Sequence, residues 1–159
     1  MAGGNFERMV RLAEEFFDMK NDPDQLAVDS DTMEKLRTIH PSTMSEESDM
    51  DGPVAWVLVI PTTRALMDRF TSGEINEREL LAMTAPGVTY DAIYLCSALV
   101  LPEQRRKGLA RRLALRAIAD IRAGNPIRYL FYWGFSGGGD ALAASIARET
   151  GLPLSRRIV

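Results

Sequence analysis

Residues 100 to 110 read Val-Leu-Pro-Glu-Gln-Arg-Arg-Lys-Gly-Leu-Ala, between an apolar run that suits a strand and an amphipathic stretch that suits a helix. A proline stop, the cations Arg105, Arg106 and Lys107 and the flexible Gly108 fall where a helix begins. Helix starts expose amide donors without intrahelical partners and carry a positive partial charge, so this junction suits a phosphate-bearing polyanion held mainly by backbone. The junction also dominates the local charge: residues 103–122 hold seven Arg or Lys against two acids, whereas residues 1–53 hold thirteen acids against five Arg or Lys. Either the acidic third attracts the basic junction, or the two flank a site for an anionic cofactor and a cationic substrate.

The elements that must position this junction are read from periodicity. A helix is expected from Phe6, Met9, Val10, Ala13, Phe16 and Phe17, which recur at spacings of three and four. The Asn21-Asp22-Pro23-Asp24 segment stops it, and a second helix is expected over residues 31–39. The polar, acidic segment 40–52 reads as a loop. Residues 53–60 read as a buried strand, 63–70 and 76–83 as a helical hairpin, and 89–101 as a second buried strand. A helix over 108–122, a third strand over 127–135, a last helix ending near Gly151 and an edge strand over 152–159 complete the chain. Strand, helix, strand around the glycine junction make a βαβ unit, hence locally parallel strands and an α/β class.

With 159 residues and 46% apolar content the chain suits one compact domain, 1–159. Its net charge of -3 argues against a nucleic-acid-coating protein. The single cysteine, Cys96, excludes an intrachain disulfide, and neither a signal-peptide pattern nor a membrane-length apolar run occurs, so a cytoplasmic setting is expected, with no membrane partner. No metal-ligating spacing stands out.

The stretch from Val100 to Ala110 resembles the acetyl-CoA-binding motif of the GNAT family of N-acetyltransferases, whose pattern is Val-x-Pro, a short spacer, then Arg/Gln-x-x-Gly-x-Gly/Ala. Arg105, Gly108 and Ala110 occupy its three diagnostic positions, and the resemblance is strong over 93–121 and weak before Pro53. It implies a GNAT-like central mixed sheet flanked by helices, here with an atypical helical N-terminal part. It also implies acetyl-CoA as cofactor. Arg105, Arg106, Lys107, Gly108, Leu109 and Ala110 would then cradle the pyrophosphate, and the backbone of Leu99, Val100 and Leu101 would bind the pantetheine arm. The thioester would lie near 96–98, and an acetyl group would pass to a small-molecule or peptide amine by direct attack.

Such a transfer needs a neutral amine, a stabilised oxyanion and a protonated leaving thiolate. Many family members use a carboxylate five or six positions before the motif proline and a tyrosine on the last helix; here those positions hold Ser97, Cys96 and Ala147. Tyr94 and Ser97 are the substitute candidates, Tyr94 being equally suited to core packing. Asp91 is either a base acting through water or a turn cap, Cys96 a nucleophile or a small buried hydrophobe, and His40 incidental. Ser136, Asp140 and Ser145 are weak cofactor contacts. The missing carboxylate leaves a second reading open, a catalytically inactive acyl-CoA sensor or regulatory domain. A third, nucleic-acid binding on the 105–116 face beside the aromatic run 129–135, is less favoured because such aromatic density suits a core. A homodimer that completes the sheet stays open.

Overall fold

The computed structural model describes residues 4–20, 30–134 and 137–157. The chain opens with helices α1 (Gly4–Lys20) and α2 (Ser30–Ile39), followed by strands β1 (Met44–Asp49) and β2 (Gly52–Thr62). A helical hairpin, α3 (Arg64–Thr71) and α4 (Glu77–Met83), leads to β3 (Ala92–Val100), and then come α5 (Leu109–Gly124), β4 (Tyr129–Trp133), α6 (Gly137–Thr150) and β5 (Leu154–Arg157). The five strands form one mixed sheet in chain order, antiparallel from β1 to β3 and parallel from β3 to β5. This is an α/β fold, and among the described residues no helix is long and apolar enough to cross a membrane.

One expected loop is a strand. Residues 44–49 pair antiparallel with β2, although their side chains are mostly exposed. An edge strand needs backbone partners on one side only, so Met-Ser-Glu-Glu-Ser-Asp gains order from the ladder without any apolar alternation, and its charges discourage pairing with other chains. The hairpin between β2 and β3 follows its caps: Thr63 accepts from the Leu66 amide at 3.5 Å, and Asn76 forms a reciprocal capping box with Glu79. Asp91 settles as a cap, its Oδ1 accepting the Arg64 amide at 2.7 Å in the first turn of α3.

Register and contacts assign the helices to the two faces of the sheet. Phe6 meets the Trp56 ring edge-on at 6.0 Å, placing α1 on the face that Trp56 shares with Leu58 and Ile60. Phe6 itself is 55% exposed, so it covers Trp56 from outside, and Met9 supplies the fully buried contact of α1. On the same face Phe70 of α3 packs with Tyr94 and Phe131 at centroid distances of 4.8 and 5.8 Å, and Tyr94 stacks on Phe131 at 5.1 Å. Helix α6 lies on the opposite face, tied by Asp140 to Arg156 at 3.3 Å, and α5 packs beside it through Arg111, which reaches Ser145 at 2.8 Å and Glu149 at 3.1 Å. Leu113, Ala114, Ala117, Ile118 and Ile121 form the buried stripe of α5, as its spacing predicts.

The expected attraction between the acidic N-terminal third and the basic junction takes the reverse polarity. Arg8 of α1 holds Glu103 of the junction through two guanidinium contacts of 2.5 and 2.6 Å. That fork matches carboxylate geometry and fastens α1 to the end of β3.

Candidate active site

Strands β3 and β4 pair only from Ala92↔Tyr129 to Leu95↔Tyr132, although β3 continues to Val100. The reason lies on the other side of β3. Leu58 and Val59, adjacent in β2, face Ser97 and Leu95, so Cys96 is an extra residue in β3. A bulge of this kind bends its strand and increases local twist, and here it coincides with the point where β3 leaves β4. The opening is a cleft of about 630 Å³, walled by β3 from Leu95 to Val100 and by Tyr132 and Trp133. Small residues Ala110 and Ala114 of α5 and Gly139 and Ala143 of α6 line its α5 side.

At one end of this cleft stands the junction read from the sequence. A 3-10 turn, Pro102–Gln104, precedes Arg106 at φ 66° and Gly108 at φ 75°, and Gly108 is the N-cap of α5. Successive amides in such left-handed turns form anion-binding concavities. Since the Arg112 amide bonds the Gly108 carbonyl at 3.0 Å, helix geometry leaves the amides of Leu109, Ala110 and Arg111 without intrahelical acceptors. A Cβ added at Gly108 would first meet Arg112 Nη1 at 4.0 Å, so the position is open and its constraint is the backbone angle.

The cations here divide into two sets. Arg105 donates through Nε to the Val100 carbonyl at 3.0 Å, and Arg112 donates to the Lys107 carbonyl at 3.0 Å; both brace the loop. Lys107 reaches Gln104 Oε1 at 3.2 Å, and the exposed Arg106 extends from the left-handed turn. On the helix, Arg111 is bound to α6 and Arg112 to the loop, while Arg116 is exposed.

Alternation along β3 sorts the three backbone positions expected to bind a pantetheine arm. The Leu101 amide donates to the Val54 carbonyl at 2.9 Å, towards β2, and Leu99 shares that orientation. Val100 and Ala98 therefore turn their backbone groups to the edge that β4 has left.

The two proposed catalytic side chains part company. Ser97 lines the cleft and is half-buried. Tyr94 has no exposed surface and lies beneath the floor, its hydroxyl donating to Glu77 Oε2 at 2.5 Å. Burial foremost, then the Glu77 charge, pushes the Tyr94 phenol well above its ordinary range, which opposes proton release. Cys96, at the bulge, lines the cleft and directs its thiol to the same Glu77 oxygen at 3.7 Å. Glu77 is 1% exposed, and Arg157, also buried, lies 4.5 Å from the Phe70 centroid and 5.0 Å from that of Trp133 while donating to the Ile75 carbonyl at 2.9 Å.

Sequence reasoning did not single out Glu77, Arg157 or Glu15. Glu77 opens a short helix in Asn76-Glu77-Arg78-Glu79, where an acid reads as a solvated first-turn residue, and the capping signal points to Glu79 instead. Glu15 of α1 lines the cleft although its spacing marks only the polar face of a helix. His40 accepts the Ser42 amide at 3.0 Å in the turn before β1, away from the cleft lining. Asp140 and Ser145 are spent on Arg156 and Arg111, and Ser136 and Phe135 lie outside the described residues.

Neither a protein-family model nor a curated protein matches the sequence. Among solved structures the chain is similar to Naa20 of Chaetomium thermophilum, in complex with a bisubstrate analogue, with 16% identity, a TM-score of 0.51, and coverage of 80% of this chain and 60% of that one. An aminoglycoside acetyltransferase from an uncultured soil metagenomic sample, in complex with trehalose, aligns over 92% of this chain and 79% of its own at 17% identity and a TM-score of 0.48. The chain thus has a GNAT-type fold, a mixed sheet flanked by helices, and it spans about 60% of the length of the Naa20 chain.

Proposed function

We propose that the protein is an acetyl-CoA-dependent N-acetyltransferase of the cytoplasm that serves a small-molecule or peptide amine by direct attack. The observation that carries this reading is the coincidence, in one cleft, of the β3–β4 opening, the strand edge at Ala98 and Val100 and the exposed amides at the start of α5. The apolar walls and the amide-rich end fit a long thioester with a pyrophosphate, and the fold shared with Naa20, solved with a bisubstrate analogue, supports the reading.

Acetyl-CoA, when bound, supplies the activated acetyl group. In this reading the amides of Leu109 and Ala110, with Gly108 giving close approach and Arg106 and Lys107 giving charge, hold the pyrophosphate. Arg105 acts by bracing the loop against Val100. The backbone of Ala98 and the amide of Val100 hold the pantetheine arm, the Val100 carbonyl already accepting from Arg105, and Ser97, which lines the cleft, donates a hydrogen bond. The test is thiol release with acetyl-CoA and a panel of amines: turnover of one or more amines, at least tenfold weaker in Gly108→Glu, is the expected result.

The second reading, a CoA-binding sensor, is favoured by the burial of Tyr94 against Glu77, which takes the expected acid out of the cleft. Tight CoA binding with no amine turned over would select it.

A further inference from the structure

The cleft crosses the sheet, and its two ends differ in charge. Of the described residues that line it, only Arg105 and Glu15 carry charge. Arg105 belongs to the α5 end, beside the amides that suit a phosphate. Glu15 belongs to α1, on the opposite face of the sheet, and is exposed. Leu12, one turn before Glu15 on the same helix side, lines the cleft with it, as do Leu58 and Trp133. Leu58 and Trp133 both belong to the α1 face by register, Leu58 with Trp56 and Trp133 with Phe131. The Trp133 ring is held from behind by the Arg157 guanidinium at 5.0 Å, so it offers a fixed aromatic wall.

We propose that Glu15 is the catalytic carboxylate of the acceptor end, where it receives the ammonium of an amine with an apolar body and takes its proton. The proposal rests on the acetyl-CoA reading and names the acceptor class that the reading leaves open. Two other carboxylates near the site do not serve: Glu77 is buried and already accepts from Tyr94 and Cys96, and Asp140, on the α6 face, is paired with Arg156. At Glu15 the ammonium gives up one proton, which passes to water at the open mouth. The freed lone pair then attacks the thioester carbon, so that the C–N bond forms as the C–S bond breaks. The second amine proton ends on the departing sulfur, and the third stays on the amide.

The experiment uses the full chain and three titrations, with acetyl-CoA alone, then phenethylamine and glutamate each titrated into the CoA-saturated protein, for wild type, Glu15→Gln and Glu15→Asp. Thiol-release kinetics with the same amines follow. Loss of a charged hydrogen-bond partner is expected to weaken phenethylamine binding on the order of tenfold or more in Glu15→Gln, with partial recovery in Glu15→Asp and an unchanged acetyl-CoA affinity. In turnover both kcat and KM for the amine are expected to worsen in Glu15→Gln, and formate is expected to restore part of kcat in Glu15→Ala. Equal phenethylamine binding in wild type and Glu15→Gln, preference for glutamate, or failure of wild type to take either amine while binding acetyl-CoA would overturn the assignment of Glu15 alone. No saturable acetyl-CoA binding would overturn the cofactor reading and this proposal with it.

Discussion

A buried carboxylate, Glu77, lies under the cleft and an exposed one, Glu15, lines it. Glu77 holds the Tyr94 hydroxyl and the Cys96 thiol below the cleft, so Glu77→Ala leaves two buried donors without that acceptor. The expected loss is about 2–4 kcal/mol in urea unfolding, with a smaller loss for Glu77→Gln, which keeps an accepting oxygen. A pair at the surface makes a pH-dependent case. The hydrogen bond from Arg8 holds the Glu103 carboxyl down from 4.5 to about 2. Because the folded value is depressed, the stabilising effect is present above the unfolded carboxylate range and is lost as pH falls through about 2. In Arg8→Ala the Glu103 titration followed by carboxyl NMR is expected to move back up towards 4.5, and the wild-type shift to shrink in high salt. None of this was legible from spacing: Glu77, Arg157 and Glu15 are ordinary charged residues in their own segments, and only tertiary packing makes them floor, buried cation and cleft lining. The motif residues were legible because a turn with left-handed Gly108 at a helix start is a local requirement.

Elements with strong local signals were readable and those defined by their partners were not. The stripe of α5, the stop after it and the caps of α3 and α4 all follow from local chemistry, and the structure keeps them within a few residues; the stop expected at Asn21-Asp22-Pro23-Asp24 lies outside the described residues. Strand β1 could not be read, since its order comes from the β2 ladder and its side chains face water. The cleft escaped reading for a related reason: the bulge at Cys96 is a mismatch between two strands, and no single strand shows it. The α3–α4 hairpin has a task that its amphipathic pattern alone does not convey, because it carries Phe70 and Glu77 under β3. Asn76→Ala, which removes the side-chain half of the capping box, is expected to cost about 1 kcal/mol by thermal or urea unfolding. A cost within error would mean that tertiary contacts alone hold α4.

For the molecule as a whole, the fold class and the end of the cleft proposed to take the cofactor follow from the βαβ unit around the junction, and the end proposed to take the acceptor depends on a helix whose packing the sequence leaves undetermined. A mixed sheet that opens between β3 and β4 gives a cleft lined by Arg105 and the start of α5 on one side and by Glu15 of α1 on the other. Everything proposed about activity depends on what enters the α5 end. Gly108→Glu places a bulky anion and a strained left-handed residue at that point, where Gly108 has φ 75°. Calorimetric titration of wild type and Gly108→Glu with acetyl-CoA is therefore the direct measurement: saturable one-to-one binding by wild type, weakened at least tenfold in the variant while both remain folded, is the predicted result, and no saturable binding by wild type would contradict the account.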